Sequence, residues 1–324
     1  MSRELLILLT LPEPVRARYH KGILNQFPEI TVNVVDHHSK VSPFIERADI
    51  LVTFGPMMSD AVLQGAPRLR WIQALGTGTD GIVDQPSLGP QVIVTNMHGF
   101  HGAPMAEAAL LGMLSLARDV PRSMRAQQAA RWERFPARTL NQSTVVIYGV
   151  GDIAKTLAPL CKALGMRVIG VSSAPREVAG FDEVVGRVQL TAAAAQADFL
   201  VLLTPYSAST HHSVDASVLA AMKRGSMLVN LARGGVVDED ALVAVLRNGH
   251  LAGAALDVFQ REPLPGDHPL WSLPNVIVTP HLGGFFDRYP DHALPVLCHN
   301  LGCYLAGQFD QMINVVRQPQ TCVL

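Results

Sequence analysis

Short apolar runs recur along this chain, separated by segments of helical period, and parallel βαβ units are the architecture that satisfies the alternation. Glu4–Leu9, Thr31–Val35, Ile50–Thr53, Trp71–Ala74 and Val92–Thr95 are the expected strands of a first series. A second series follows at Val145–Tyr148, Arg167–Val171, Phe199–Thr204, Ser226–Asn230, Gly253–Asp257 and Val276–Thr279. Six buried strands with helices between them predict a doubly wound parallel sheet. Pro14–Asn25 reads as a helix, with Pro14 tolerated in its first turn. His292–Gly307 reads as another, ending at a glycine. Between the two series, Met105–Arg118 is rich in Ala, Leu and Met and poor in charge. Apolar residues on nearly every side predict a buried helix, between domains or subunits.

Composition narrows the function classes. A chain of 324 residues is long enough for two domains. Hydrophobic residues reach 48% and charged residues only 16%, which argues against disorder. The net charge of −1, with no basic block, disfavours a nucleic-acid partner. No apolar run approaches the ~20 residues that span a membrane. The run Leu5–Leu11 meets Pro12 and Pro14 without a small-residue cleavage site, so it is expected to be a first strand and not a signal peptide. Cys161, Cys298, Cys303 and Cys322 show no CxxC spacing and read as free thiols in a reducing, cytoplasmic setting. No metal site is expected.

The stretch Val145–Ala154 is a strand running into Gly149-x-Gly151-x-x-Ala154 and a helix. The first glycine permits a tight turn, the second admits a pyrophosphate to the backbone, and the small third residue lets helix and strand pack closely. The helix N-terminus then presents free N–H groups and a positive dipole end to phosphate. An acidic residue is expected to end the next strand when the ligand is NAD, because it bonds the adenosine ribose. Ser172 stands there instead, followed by Ser173, Ala174, Pro175 and Arg176. Without a carboxylate to repel a ribose phosphate, this loop favours NADP over NAD.

Three later segments each end an expected strand with unusual polar residues: Leu228–Asp238, Ala255–Pro263 and Val278–Gly284. Ligands of open α/β sheets bind outside the carboxyl ends of the strands, so Arg233, Asp257, Glu262 and His281 are expected on the edge of the glycine turn. At these residues the chain resembles the D-isomer-specific 2-hydroxyacid dehydrogenases over essentially its whole length. The match comprises the glycine turn, the block ARGGVVDEDAL, the block DVF..EPL and the block TPHLGG, in that order. The resemblance implies a catalytic set of Arg233, Glu262 and His281. It also implies cofactor contacts from Asp152, Ile153, Thr204, Ala232 and Gly283, beside Gly149, Gly151, Ser172, Ser173 and Arg176, with Asp257 facing the nicotinamide.

The chemistry fits those residue types. Reducing a 2-keto acid puts hydride on the carbonyl carbon and a proton on its oxygen. Histidine titrates near neutrality and is suited to supply that proton from His281. Glu262 is expected on the other ring nitrogen, where it fixes the imidazole. Arg233 offers a rigid fork of donors for the substrate carboxylate and keto oxygen. On the substrate side, Leu75–Gly81 places close glycines where backbone N–H groups form an anion nest. The resemblance assigns Gly76, Thr77 and Gly78 to the substrate carboxylate. Met105 is a weaker candidate for the pocket, and His211 and His212, in a polar connection, are read as solvated.

The resemblance implies two Rossmann-like domains, the first flavodoxin-like and discontinuous. Residues 1–99 with 289–324 are the expected substrate domain and 100–288 the dinucleotide-binding domain, in a likewise expected homodimer. With the sequence ending at Leu324, the regulatory domain of many phosphoglycerate dehydrogenases is not expected. Formate dehydrogenases carry glutamine where Glu262 stands, which argues against that activity. A small 2-keto acid such as glyoxylate, hydroxypyruvate or an aryl or alkyl pyruvate fits best. Two rival readings use the same scaffold: phosphite-type oxidation, and a dimeric corepressor-like protein that senses nicotinamide nucleotides.

Overall fold

The computed structural model describes residues 3–55 and 58–319. The chain divides into two compact units, one made of residues through Phe100 together with those from Asp287 onward, the other of His101–Phe286. The first unit begins with β1 (Glu4–Leu8), α1 (Glu13–Gln26), β2 (Thr31–Val35), α2 (Ser42–Ile45), β3 (Ile50–Thr53), α3 (Asp60–Gln64), β4 (Trp71–Ala74) and β5 (Ile93–Thr95). The second carries α4 (Gly102–Ala117), α5 (Val120–Gln128), β6 (Thr144–Tyr148), α6 (Asp152–Ala163), β7 (Arg167–Ser172) and β8 (Glu183–Gly186). It continues with α7 (Leu190–Ala194), β9 (Phe199–Leu202), α8 (Ala216–Ala221), β10 (Met227–Asn230), α9 (Glu239–Arg247), β11 (Gly253–Leu256) and β12 (Val276–Val278). The chain then returns to the first unit with α10 (Tyr289–Ala306) and β13 (Val315–Arg317).

The sheet of the first unit has the order β13-β5-β4-β3-β1-β2, parallel except that β13 runs antiparallel to β5. The sheet of the second has the order β12-β11-β10-β9-β6-β7-β8 and is parallel throughout. Both are the doubly wound α/β architecture that the alternation of apolar runs and helices predicts. In the second sheet the winding reverses between β6 and β9, where Tyr148 lies opposite Leu202. The carboxyl ends of these two strands flank the crevice in which such sheets bind ligands.

Side-chain alternation explains why the runs are apolar throughout. Val145, Ile147, Phe199, Val201 and Val229 enter one core cluster of the second unit, and Val146, Tyr148, Leu200, Leu202 and Leu228 enter the other. Each such side chain contributes about 1.5–3 kcal/mol by leaving water.

Two expectations need correction. The second sheet has seven strands and not six, because Glu183–Gly186 forms an edge strand paired only with β7. The first sheet gains β13, a three-residue strand whose sequence has no pattern of its own. In α4, Ala106, Ala109, Gly112, Met113 and Leu116 are buried within the unit, while in the single chain Leu111 is 63% and Leu114 42% exposed. One sheet covers one face of a helix. Gly112 is where that face comes closest, since a Cβ there would lie 3.1 Å from the Ala255 methyl and 3.2 Å from Val229.

No helix among the described residues is long and apolar enough to cross a membrane. Cys161, Cys298 and Cys303 are buried free thiols, and burial pushes Cys161 up to about 12. Cys322 lies outside the described residues.

Candidate active site

The glycine turn leaves β6 with Gly149 at φ +105°, a conformation that disfavours a side chain. A Cβ there would also stand 2.5 Å from the Thr204 nitrogen and 2.6 Å from the Leu203 carbonyl carbon. Gly149 thus lets β6 and the residues leaving β9 touch. Gly151 is different: it is the N-cap of α6, with φ −100°, and a Cβ would meet nothing within 4 Å. The open space lies in front of the first turn of α6, where Asp152 and Ile153 begin the helix and its N–H groups have no intrahelical partners. A buried Thr204 and a backbone cradle of this kind fit the pyrophosphate of a dinucleotide.

The loop after β7 carries no carboxylate from Ser172 to Arg176. Arg176 folds back over the glycine turn, its Nη2 donating to the Val150 carbonyl at 2.7 Å. Ser172 is buried, and its hydroxyl donates to the Ala174 carbonyl. The Ser172 hydroxyl thus satisfies the loop's own backbone, and Ser173 is the exposed one of the two.

The polar segments after β10, β11 and β12 come together through named bonds. Asn230 closes β10 by accepting from the Ala232 N–H at 3.0 Å and donating to the Arg233 carbonyl at 3.2 Å. The Arg233 guanidinium donates to the Ala232 carbonyl at 2.7 Å. Asp257, 3% exposed, organises the loop behind β12. Its Oδ1 accepts from the Thr279 hydroxyl at 2.5 Å and the Leu282 N–H at 2.8 Å, and its Oδ2 accepts from the Gly283 N–H at 2.8 Å. A Cβ on Gly283 would approach Oδ2 to 2.9 Å and the Met105 sulfur to 3.3 Å. Met105 therefore packs against this loop.

Wrapped in this way, His281 adopts φ +54°, an uncommon conformation for a residue with a side chain. Its N–H donates to the Asp257 and Thr279 carbonyls at 2.8 and 3.0 Å, which holds the backbone there. The imidazole Nδ1 meets Glu262 Oε2 at 2.7 Å. Glu262 Oε1 accepts from the Phe259 N–H at 3.0 Å. Burial alone pushes the Glu262 carboxyl up. The His281 hydrogen bond and charge, the Phe259 N–H and the Arg233 charge outweigh it and hold the group below the usual carboxylate range. The result is an ionised carboxylate orienting an imidazole whose Nε2 points away from it, with a guanidinium in electrostatic reach.

In the first unit the Gly76 loop follows β4 and is braced by its neighbours. Gly76 accepts from the Met97 N–H at 3.0 Å, Thr77 donates to the Met97 carbonyl at 2.9 Å, and the Asn96 amide donates to the Thr77 carbonyl at 2.6 Å. The Phe54 ring lies 3.7 Å from where a Gly76 Cβ would stand. Tyr289 donates its hydroxyl to the Leu75 carbonyl. Gly78 continues the turn.

His211 is exposed and His212 half-buried, and both rings have partners. Their rings stack with centroids 4.0 Å apart, His211 Nδ1 meets the Tyr206 hydroxyl at 3.0 Å, and His212 Nε2 meets the Gln260 amide nitrogen at 2.8 Å. Among the described residues no group of three or more His, Cys, Asp or Glu is arranged to hold a metal ion. Asn230 and Thr279 were not foreseen. Their signal is a polar residue at or just after a strand's carboxyl end, beside each conspicuous block.

Comparison with known proteins identifies relatives of the whole chain. Residues 110–283 match the family model described as D-isomer specific 2-hydroxyacid dehydrogenase, NAD binding domain. A D-3-phosphoglycerate dehydrogenase of Methanocaldococcus jannaschii is 32% identical over 92% of this chain and 57% of its own length. The chain thus spans little more than half of that relative. A glyoxylate reductase of Korarchaeum cryptofilum is 31% identical over 85% of this chain and 84% of that protein. Among solved structures, a D-isomer specific 2-hydroxyacid dehydrogenase from Xanthobacter autotrophicus Py2, in complex with NADPH and MES, is 30% identical. It superposes with a TM-score of 0.80 over 98% of each chain.

Proposed function

The chain belongs to the D-isomer specific 2-hydroxyacid dehydrogenase family, and from that premise we propose that it reduces a small 2-keto acid to the D-2-hydroxy acid with NAD(P)H. The observation that carries the reading is the Glu262–His281 pair at 2.7 Å, on loops leaving the carboxyl ends of the glycine-turn sheet, with Arg233 beside it. A reduced nicotinamide held by the glycine-turn sheet would supply the hydride for the carbonyl carbon and itself become oxidised. His281 Nε2 gives its proton to the carbonyl oxygen, while Glu262 holds the ring through Nδ1. Arg233 binds the substrate carboxylate and polarises the keto oxygen, donating into charge that grows as hydride arrives. Gly149, Gly151, Asp152, Ile153, Thr204, Ala232 and Gly283 are the residues that would hold the dinucleotide, and the buried Asp257 would support the loop on its nicotinamide side. The Gly76–Thr77–Gly78 turn is the further candidate for an anionic substrate group.

NADPH is the proposed reductant. A loop without a carboxylate, the exposed Ser173 and the Arg176 guanidinium over the glycine turn support it, as does the NADPH held by the Xanthobacter relative. We further assign the exposed stripe of α4 and α5, with Leu111, Leu114 and Met124, to a second copy of the chain in a homodimer. The free buried thiols agree with a reducing, cytoplasmic setting.

The test is nicotinamide absorbance with NADPH and NADH in parallel over glyoxylate, hydroxypyruvate, pyruvate and phenylpyruvate. Arg233→Ala and His281→Ala should each lose about 100-fold or more in turnover with the fold intact. Full turnover in either variant removes that residue from the mechanism. Arg176→Ala should lower the NADPH/NADH preference, and an unchanged ratio removes Arg176 from cofactor choice.

A further inference from the structure

Glu262 is held from two directions, and His281 is only one of them. The segment Phe259–Glu262 lies directly on the turn that carries Arg233. A Cβ at Gly234 would fall 1.8 Å from the Phe259 carbonyl carbon and 2.2 Å from the Gln260 nitrogen, so the two backbones touch. Glu239, the first residue of α9, accepts from the Gln260 N–H through Oε2 at 3.2 Å. The Gln260 side chain donates back to the Val237 carbonyl at 3.2 Å and to His212 Nε2 at 2.8 Å.

The other Glu239 oxygen meets His268 Nε2 at 3.2 Å, while His268 Nδ1 accepts from the Leu270 N–H at 3.3 Å. The ring nitrogen facing Glu239 therefore carries hydrogen, and both carboxylate oxygens are engaged. The Glu239 side chain is 13% exposed, so it gives up most of its hydration to make these bonds. Asp240, next along the same helix turn, is exposed. It would serve the α9 dipole equally well from solvent.

We propose that Glu239 and Gln260 are positioning residues for hydride transfer: they fix the peptide that orients Glu262, and through it the proton-donating ring of His281. The inference rests on the reading of the preceding subsection. Reaction geometry held to within an ångström is what such support supplies. The charged groups facing the Glu262–His281 pair are Arg233 and, behind the loop, the buried Asp257.

The experiment compares Glu239→Ala, Glu239→Gln, Gln260→Ala and Asp240→Ala in the full chain, with glyoxylate and phenylpyruvate as substrates and NADPH as reductant. Glu239→Ala and Gln260→Ala should each lower kcat about tenfold, with KM and the NADPH Kd within about twofold. The alkaline limb of kcat/KM should move about half a pH unit downward. Glu239→Gln keeps an acceptor for the Gln260 N–H and should recover most of the rate, and Asp240→Ala should match the wild type. An unmoved alkaline limb, a Glu239→Gln no better than alanine, or an equal loss in Asp240→Ala overturns the proposal. Gln260 is exposed, so its alanine variant keeps the test open should Glu239→Ala fail to fold. A wild type that turns over none of glyoxylate, hydroxypyruvate, pyruvate and phenylpyruvate refutes the proposed 2-keto acid reductase reading, and this inference falls with it.

Discussion

Alanine at each of two glycines in one turn should separate folding from ligand binding. Gly149→Ala places a methyl group 2.5 Å from the Thr204 nitrogen on a backbone at φ +105°. The left-handed conformation costs about 1–2 kcal/mol and overpacking against backbone about 1–3 kcal/mol more. At roughly 2–4 °C per kcal/mol for a unit of this size, the melting temperature should fall by about 5–20 °C. Gly151→Ala has φ −100° and nothing within 4 Å of the new methyl group, so stability should stay within about 1 kcal/mol. The methyl group would instead fill the approach to the α6 N-terminus. Loss of one charge-assisted bond to a phosphate, about 1.5–3 kcal/mol, weakens binding about 10- to 150-fold. Circular dichroism melts without nucleotide, and NADPH titrations followed by nicotinamide fluorescence, read the two quantities separately. A Gly151→Ala protein that binds NADPH within about twofold of wild type refutes the phosphate cradle. A Gly149→Ala protein that melts like wild type refutes the strain argument.

Asp257→Asn should destabilise the second unit by about 2–3 kcal/mol, since an amide cannot accept from Thr279, Leu282 and Gly283 together. A melt within about 1 °C of wild type contradicts that. The Asp182 carboxyl is held below its usual range by Lys162 and the Val168 N–H, and that of Asp215 by Ser217 and the Val218 N–H. Glu262 joins them, its burial outweighed by His281. A carboxyl lowered in the folded state stabilises above its unfolded pKa, and that stability is lost as pH falls through the folded value. Melting temperature should therefore hold between about pH 7 and 5 and fall below about pH 4. Asp182→Asn should reduce the acid-induced drop, and an unreduced drop excludes Asp182. Leu111→Glu with Leu114→Glu should convert a dimer to a monomer in sedimentation, and an unchanged mass moves the interface elsewhere.

Much of the fold was legible because the strands carry both layers of the core in their own composition. Val145–Tyr148 and Phe199–Leu202 are apolar at every position, as a strand covered on both faces must be. β8 and β13 escaped notice because edge strands have one neighbour and short patterns, and β13 finds its partner, β5, far back in the chain. Gly149 and Gly151 were readable because each answers a local backbone requirement. The left-handed His281, the Asp257 carboxylate inside the Thr279–Gly283 loop and the reach of Glu239 to Gln260 were not. Those are contacts between loops distant in sequence, and only the assembled sheet brings them together. For α4, composition announces an apolar helix, but only the assembled sheet shows that Leu111 and Leu114 lie on the face it leaves exposed.

The return of α10 and β13 to the first unit sets a timetable for synthesis. Trp71 stacks on Tyr304 at 5.5 Å, Gln73 accepts from the Asn300 amide at 3.1 Å, and the free edge of β5 is covered only by β13. None of these partners exists until the ribosome has passed through the whole of the second unit. At about 5–20 residues per second, the nascent first unit waits on the order of 10–40 s with an apolar flank and an unpaired strand edge exposed. The second unit is contiguous and is free to fold as it emerges. The first unit made is therefore the last that can be completed, because its closing helix and strand are the last residues to be translated.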